Sequence, residues 1–206
     1  MSRIRWEEIV SLTGEHLVLV LVSISVAVAI AIPAAVFLAR RESLRRWVTG
    51  LVNLFQTMPS LALFGFLIPV PLIGGIGRRT AIVALILYAL LPILRNTLVG
   101  ILGVDPNVRE SAVAMGMTDR QLLWQVEMPL AVPSILAGVR IATVTTIGTA
   151  TIAAAIGGGG LGTFIFRGIA MVDSVTILAG AIPAALIAIL ADEVLGWLEH
   201  RLSAWV

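Results

Sequence analysis

Few side chains in this sequence could do chemistry. It contains no Cys, only two His (His16 and His200), and fourteen basic residues that are all Arg. The absence of thiols excludes disulfides, cysteine nucleophiles and thiolate metal sites, and the absence of Lys excludes a P-loop, whose lysine contacts nucleotide phosphates. We therefore predict no catalytic residue, no metal site and no cofactor in this chain.

Two short patterns imitate functional sites. Residues 157–162 read Gly-Gly-Gly-Gly-Leu-Gly, which fits the dinucleotide fingerprint G-x-G-x-x-G, but they follow an apolar helical segment instead of a strand. We interpret them as a tight connection on the outer side of a membrane. Asp192 and Glu193 follow a long apolar segment, and we interpret them as its end, with a proton relay as the alternative.

The elements that must position these residues are membrane spans. The chain is 59% apolar and 13% charged, with a mean hydropathy of +1.04, against roughly 45–50% and about 25% in soluble domains. Because a spanning helix needs about 20 apolar residues, we predict an all-α polytopic bundle of about five transmembrane helices. The spans are expected at about 17–39, 48–72, 80–101, 134–157 and 174–195, in one transmembrane domain over residues 1–206.

The positions of proline, alanine and threonine predict a kink, helix contacts and polar groups within the spans. Pro59, Pro69 and Pro71 predict a kinked second span with an irregular outer end. A small-residue stripe on the first span predicts close helix contact; it comprises Ala27, Ala31 and Ala35. The hydroxyls of the Thr-rich fourth span either bond back to carbonyls one turn earlier or line a polar path. They belong to Thr143, Thr145, Thr146, Thr149 and Thr151.

The distribution of Arg predicts the orientation of the spans. Nine Arg fall on one side of a five-span scheme and five on the other. Under the positive-inside rule this places the N-terminus outside and the C-terminus in the cytoplasm. The same rule accounts for the pI near 10.4 at a net charge of only +2, so we predict a lipid bilayer and no nucleic acid as partner.

The longest polar interruption, residues 103–133, predicts two short helices around a glycine turn. Asp105 with Pro106 provides an N-cap and a first helical residue, with Asn107 and Glu110 as an alternative capping box. A helix over about 106–115 should end at Gly116.

A second helix should begin at the Thr118 and Gln121 capping box. It is expected to stop or kink near Pro129 and Pro133.

The spacing in this loop resembles a known family pattern. Glu110-Ser111-Ala112, Gly116, Val126 and Met128-Pro129 match E-A-A, three residues, G, nine residues, I, one residue, L-P. That pattern is typical of the permease subunits of binding-protein-dependent ABC importers. The departures are Ser for Ala, Val for Ile and Met for Leu. The sequences at 56–62, 91–97 and 157–162 resemble the branch that imports osmoprotectants such as glycine betaine, choline and carnitine.

The resemblance implies a transport subunit that is not itself an enzyme. Two ATPase subunits would bind ATP and Mg, a second permease, identical or paralogous, would complete the pathway, and an extracytoplasmic binding protein would deliver the substrate. The setting would be a bacterial or archaeal inner membrane. Coupling to the ATPase is assigned to Arg109, Glu110, Ser111, Ala112, Gly116, Met117 and Asp119.

The translocation path is less defined by the sequence. We assign it to polar or proline residues of the second, third and fourth spans, namely Gln56, Pro59, Ser60, Asn96, Thr143, Thr146 and Thr149. Arg95 beside Asn96 predicts either an inward-facing gate or a side chain reaching the headgroups. The alternatives are a secondary transporter or channel protomer, which would place partnered charges at mid-membrane, and an intramembrane enzyme, which would need a catalytic cluster.

Overall fold

The computed structural model describes residues 5–71 and 73–203. No strand occurs in these residues, and the chain forms a bundle of long and short helices. The helices are α1 (Trp6–Ala39), α2 (Glu42–Thr57), α3 (Ser60–Leu67), α4 (Arg78–Leu102), α5 (Pro106–Ala114), α6 (Asp119–Leu122), α7 (Met128–Ala150), α8 (Gly162–Met171) and α9 (Ser174–Ser203). In the described part of the chain, four helices are long and apolar enough to cross a membrane, or five if α2 and α3 form one bent span.

α1 packs through the predicted small-residue stripe. Ala27, Ala31 and Ala35 are buried in one cluster with Ala89 and Ile93 of α4. Small side chains allow two helices to approach closely. In lipid there is no hydrophobic driving force between helices, so van der Waals packing stabilises the contact instead. The predicted helix contact is confirmed.

The second span is broken more sharply than a kink. α2 and α3 meet at an angle of 103°, at Met58 and Pro59. Pro59 lacks an N–H and disfavours the helical conformation of the preceding residue, and Met58 is extended, with ψ of 137°. The Tyr88 hydroxyl of α4 donates to the Met58 carbonyl at 2.5 Å, which stabilises the break.

Of the two outcomes predicted for the helix from Thr118, a stop or a kink near Pro129 and Pro133, the stop does not occur. α6 passes through a π-helical turn, Leu123–Glu127, directly into α7. The N–H of Met128 donates to the Leu123 carbonyl, and Pro129 lies in the first turn of α7, where the missing N–H costs least.

The outer end of the fourth span also differs from the prediction. α7 ends at Ala150 and a 3₁₀ segment, Ile152–Ile156, leads into the glycine run. The run is a turn in which the Gly160 N–H donates to the Glu15 carboxylate of α1. It is followed by α8, an apolar helix of ten residues that was not predicted.

α4 lies between α1, α2 and α7 and is the centre of the bundle. α4 and α7 are packed tightly at Gly138, where a Cβ atom would lie 2.6 Å from the Asn96 Cβ. α9 packs on α7 and α8 and begins after Asp173, whose carboxylate accepts from the Thr176 hydroxyl and the Val175 N–H. The Thr176 hydroxyl is the main cause that holds the pKa of Asp173 below its usual range.

Candidate functional site

The loop between α4 and α7 holds α5 through a local cap at each end. At the start, the Asp105 carboxylate accepts the Asn107 N–H at 2.8 Å, with Pro106 as the first helical residue. The Asn107 amide also donates to Asp105. The Asp105 cap is confirmed, and the alternative box between Asn107 and Glu110 is wrong, because the Asn107 side chain is bonded to Asp105.

α5 ends in a Schellman motif at the predicted glycine. Gly116 has φ of +84°, a conformation that glycine adopts without steric cost. Its N–H donates to Val113 and the Met117 N–H donates to Ala112, the two bonds that define this motif. The exit direction of the chain is therefore fixed by backbone hydrogen bonds.

The next turn is fixed in the same way. The Thr118 side chain accepts the Gln121 N–H and the Gln121 side chain accepts the Thr118 N–H, which forms the predicted capping box. Asp119, the first residue of α6, is exposed. The short helices thus have defined ends although the loop is mostly solvent-facing.

One face of α5 is anchored and the other projects. Ala112 is 2% exposed, whereas Val113 and Met115 are 58% and 73% exposed. Glu110 is exposed and makes no hydrogen bond or ion pair within residues 5–71 and 73–203. Ser111 only donates back to the Asn107 carbonyl. Two apolar side chains and a carboxylate are therefore presented on a rigid helix, which suits docking to another protein.

A buried carboxylate ties α5 to the spans. Glu127, 0% exposed, accepts from Arg40 at the end of α1 at 2.7 Å. The Arg109 Nε of α5 lies 2.9 Å from its other oxygen, an ion-pair contact without hydrogen-bond geometry. Arg109 also donates to the Ile101 carbonyl of α4. This cluster of Arg40, Arg109 and Glu127 links α1, α4, α5 and the π turn.

Arg109 was predicted from the sequence to belong to this site, whereas Arg40 and Glu127 were missed. Glu127 stands between Val126 and Met128 of the loop pattern. An acid that opens an apolar span is a signal for an ion pair. Its partner could not be chosen among fourteen arginines from spacing alone.

Most threonine hydroxyls of the fourth span bond back to carbonyls one turn earlier, which is the first of the two alternatives predicted for them. Thr143, Thr145 and Thr149 each donate at 2.8 Å to the carbonyl four residues earlier. Thr146 is 1% exposed and its hydroxyl has no partner among the described residues. Local bonding therefore satisfies the hydroxyls of Thr143, Thr145 and Thr149 without requiring a polar path, and only that of Thr146 is left without a partner in the described residues.

The other path candidates lie on three helices that pack together. Gln56 of α2 is exposed, and its amide is 3.5 Å from the Tyr88 carbonyl of α4. The Asn96 amide donates to the Pro92 carbonyl at 2.8 Å and packs against Gly138 of α7. Pro59 and Ser60 lie at the break between α2 and α3. α4 thus packs against both α2 and α7, and each of the Gln56 and Asn96 amides lies near a carbonyl of α4.

A further ion pair joins α7 and α9. Arg140 donates two hydrogen bonds to Asp192, at 2.6 and 2.7 Å, and lies 3.5 Å from Glu199. Gly196 faces the Arg140 guanidinium, where a Cβ atom would be 2.9 Å from Cζ. Asp192 is thus a partner of Arg140, and the interpretation that it only ends the span is too narrow.

Long apolar helices joined by a loop with a short capped helix define a multi-pass membrane protein. The family model described as "Binding-protein-dependent transport system inner membrane component" matches residues 27–204. The chain belongs to this family, whose members are multi-pass proteins of the inner membrane.

Curated relatives cover most of the chain. It is 44% identical to the carnitine transport permease protein OpuCB of Listeria monocytogenes, over 93% of this chain and 86% of the relative. It is also 44% identical to the glycine betaine/carnitine/choline transport system permease protein OpuCB of Bacillus subtilis (strain 168), over 95% and 89%. The osmoprotectant import permease protein OsmW of Salmonella typhimurium matches at 44%, over 95% and 90%.

A solved structure shares the fold. A chain of the MetNI methionine ABC transporter, in an inward-facing conformation, superposes with a TM-score of 0.86 at 24% identity, over 98% of this chain and 99% of that chain. The predicted polytopic helical fold and the predicted family are therefore confirmed. The alternative of a secondary transporter or channel protomer is not favoured.

Proposed function

We propose that this chain is the permease subunit of an ATP-driven importer of quaternary ammonium osmoprotectants. The relatives that share 44% identity over at least 93% of the chain are named for carnitine, glycine betaine, choline or osmoprotectant transport. Two ATPase chains hydrolyse ATP with Mg, a second permease completes the path, and an extracytoplasmic binding protein delivers the substrate. This chain itself carries no cofactor.

The projecting face of α5 is the observation that carries this proposal. Glu110, Val113 and Met115 are exposed on a helix whose two ends are capped and whose base is tied to Glu127. A rigid element transmits the motion of a docked subunit to the spans, whereas a flexible loop absorbs it. The predicted coupling residues run from Arg109 of α5 through the turn at Gly116 and Met117 to Asp119, the first residue of α6.

The orientation follows from the same docking. With α5 in the cytoplasm, the N-terminus lies outside and the C-terminus inside, in agreement with the excess of Arg on that side. The path is assigned to α2, α3, α4 and α7 and to the break between α2 and α3. The residues proposed to line it are Gln56, Pro59, Ser60, Asn96, Thr143, Thr146 and Thr149. Alternating access then arises when two such bundles rock against each other.

The test is a reconstituted complex of the permease with its ATPase and binding protein. Glu110→Lys reverses the charge of the docking face, and we expect ATP-driven uptake of glycine betaine to be lost. Glu193→Lys is the matched control, because Glu193 is also exposed but lies on α9, away from α5. Normal uptake and normal ATPase binding in Glu110→Lys would refute the docking role.

A further inference from the structure

Two arginines without partners face one groove on the side of the bundle that carries α5. The side chains of four arginines make no ion pair, hydrogen bond or ring contact among the described residues, namely those of Arg45, Arg79, Arg95 and Arg120. Arg45 of α2 and Arg95 of α4 line the same groove, of about 590 Å³. Arg95 precedes the end of α4 by seven residues, about 10 Å, so its backbone lies well inside the helix.

An unpaired charge at this depth needs a polar surrounding. Ionisable residues within membrane helices usually face a bundle interior or a water-filled cavity and mark a substrate pathway. Two other arginines next to spans do have acidic partners, since Arg40 pairs with Glu127 and Arg140 with Asp192. Arg45 and Arg95 are therefore available to an anionic group from outside the chain.

The wall of the groove formed by α2 is polar along one helical stripe. Arg45, Thr49 and Asn53 recur every four residues and line the groove together, because residues at this spacing share one face. The Thr49 hydroxyl is buried without a partner among the described residues, and Asn53 is exposed. Two guanidinium groups, a hydroxyl and an amide can all donate hydrogen bonds to the same anion.

The opposite wall, formed by α4, is apolar. Leu91, Leu98 and Val99 line it around Arg95. A trimethylammonium group has no hydrogen-bond donor and can lie against such a surface, whereas two arginines repel its charge. A small molecule with a carboxylate at one end and a methylated ammonium at the other would therefore bind with its carboxylate toward Arg45 and Arg95.

We propose that this groove is a carboxylate-recognising subsite at the inner end of the path, which distinguishes zwitterionic quaternary amines from purely cationic ones. Guanidinium groups bind carboxylates in a directional, charge-assisted geometry. Glycine betaine supplies that carboxylate, whereas choline carries a hydroxyl in its place and is repelled. The inference rests on the proposed function and adds a substrate preference that resides in the permease itself.

The test uses the absence of native cysteine. Val99→Cys places one thiol on the apolar wall of the groove in the complex with the ATPase, held in nanodiscs of phosphatidylcholine alone. Alkylation by a neutral maleimide is timed with glycine betaine, with choline chloride, or with sucrose at equal osmolality, in the absence of binding protein. We expect glycine betaine to slow alkylation in a concentration-dependent manner, and choline and sucrose to leave it unchanged.

The arginine variants identify the group responsible. Arg95→Gln and Arg45→Gln, each in the Val99→Cys background, should raise the half-protecting concentration of glycine betaine about tenfold or more, because each removes charge-assisted hydrogen bonds. Arg79→Gln is the matched control, since Arg79 is also exposed and unpartnered on α4 but lies at the opposite end. It should keep the parental protection.

Three results would overturn the subsite. They are equal protection by choline and glycine betaine, protection unchanged in both groove variants, and protection by anionic phosphatidylglycerol in the nanodisc without glycine betaine, which would identify a lipid headgroup as the ligand. ATP-driven uptake by the Val99→Cys complex with binding protein is measured in parallel. Absence of uptake there rejects the proposed function, whereas normal uptake without selective protection rejects only the subsite.

Discussion

The Arg40 guanidinium donates to the Glu127 carboxylate at 2.7 Å, across 87 positions of sequence. The bond joins the end of α1 to the π turn that precedes α7, and Arg109 of α5 approaches the same carboxylate. Glu127 is fully buried, so its negative charge needs a positive partner. Arg40 and Arg109 share this one carboxylate. The three residues therefore hold α5 in a fixed position relative to two spans.

Glu127→Gln should separate ATP hydrolysis from transport. The amide keeps the size of the side chain but removes its charge, and breaking a buried ion pair costs about 3–5 kcal/mol. We expect α5 to loosen, with ATPase activity retained and substrate uptake reduced at least tenfold. Both rates are measured on the same reconstituted complex.

Glu42→Gln is the control for loss of an acid in general, since its pair with Arg46 is exposed and contributes little. Parental uptake in Glu127→Gln would show that the buried cluster does not transmit the motion.

Gly116→Val should misplace α5 without changing membrane insertion. The position has φ of +84°, which a β-branched residue strongly disfavours. We expect loss of the Schellman motif, weaker ATPase association and little uptake. Gly116→Asn should keep most of the activity, because Asn tolerates the left-handed conformation. Co-purification of the ATPase and uptake measure both effects, and equal behaviour of the two variants would contradict the conformational explanation.

Gly138→Ala should destabilise the bundle at the crossing of α4 and α7. The added Cβ would lie 2.6 Å from the Asn96 Cβ, and such overpacking costs about 1–3 kcal/mol. Gly148→Ala on the same helix meets no atom within 4 Å and should be neutral or stabilising, because Ala has the higher helix propensity. Thermal unfolding of the detergent-solubilised proteins separates the two. A larger loss of stability in Gly148→Ala would contradict the packing argument.

Single cysteines at Asp119 and Gly75 should report the orientation of the spans. Gly75 lies between α3 and α4 and Asp119 begins α6, and both residues are exposed. With the N-terminus outside, an impermeant maleimide should label position 75 in intact cells and position 119 only after permeabilisation. The reverse pattern would invert the topology.

The short-range features of the loop between α4 and α7 were predictable from the sequence, because each depends on a few neighbouring residues. The Asp105 cap, the Thr118 and Gln121 box and the turn at Gly116 follow from local hydrogen-bond geometry. The partners of Glu127 and Arg140 were not predictable from the sequence. Arg40 approaches Glu127, and Asp192 approaches Arg140, only after the helices pack. α8 was missed because a segment of ten residues is too short for a span, and because it follows a glycine run that we interpreted as a turn.

The π turn at Leu123–Glu127 sets the rotation, about the axis of α7, at which α6 and the loop before it leave that helix. A π turn contains about one residue more than an α turn, and one residue corresponds to about 100° of rotation around a helix. Deleting a residue there would leave the face that α7 packs on α4 unchanged and would swing α6 and the loop before it through about a quarter of a circle. Chain length in these five positions therefore governs where the docking face points, independently of the chemistry that the face carries.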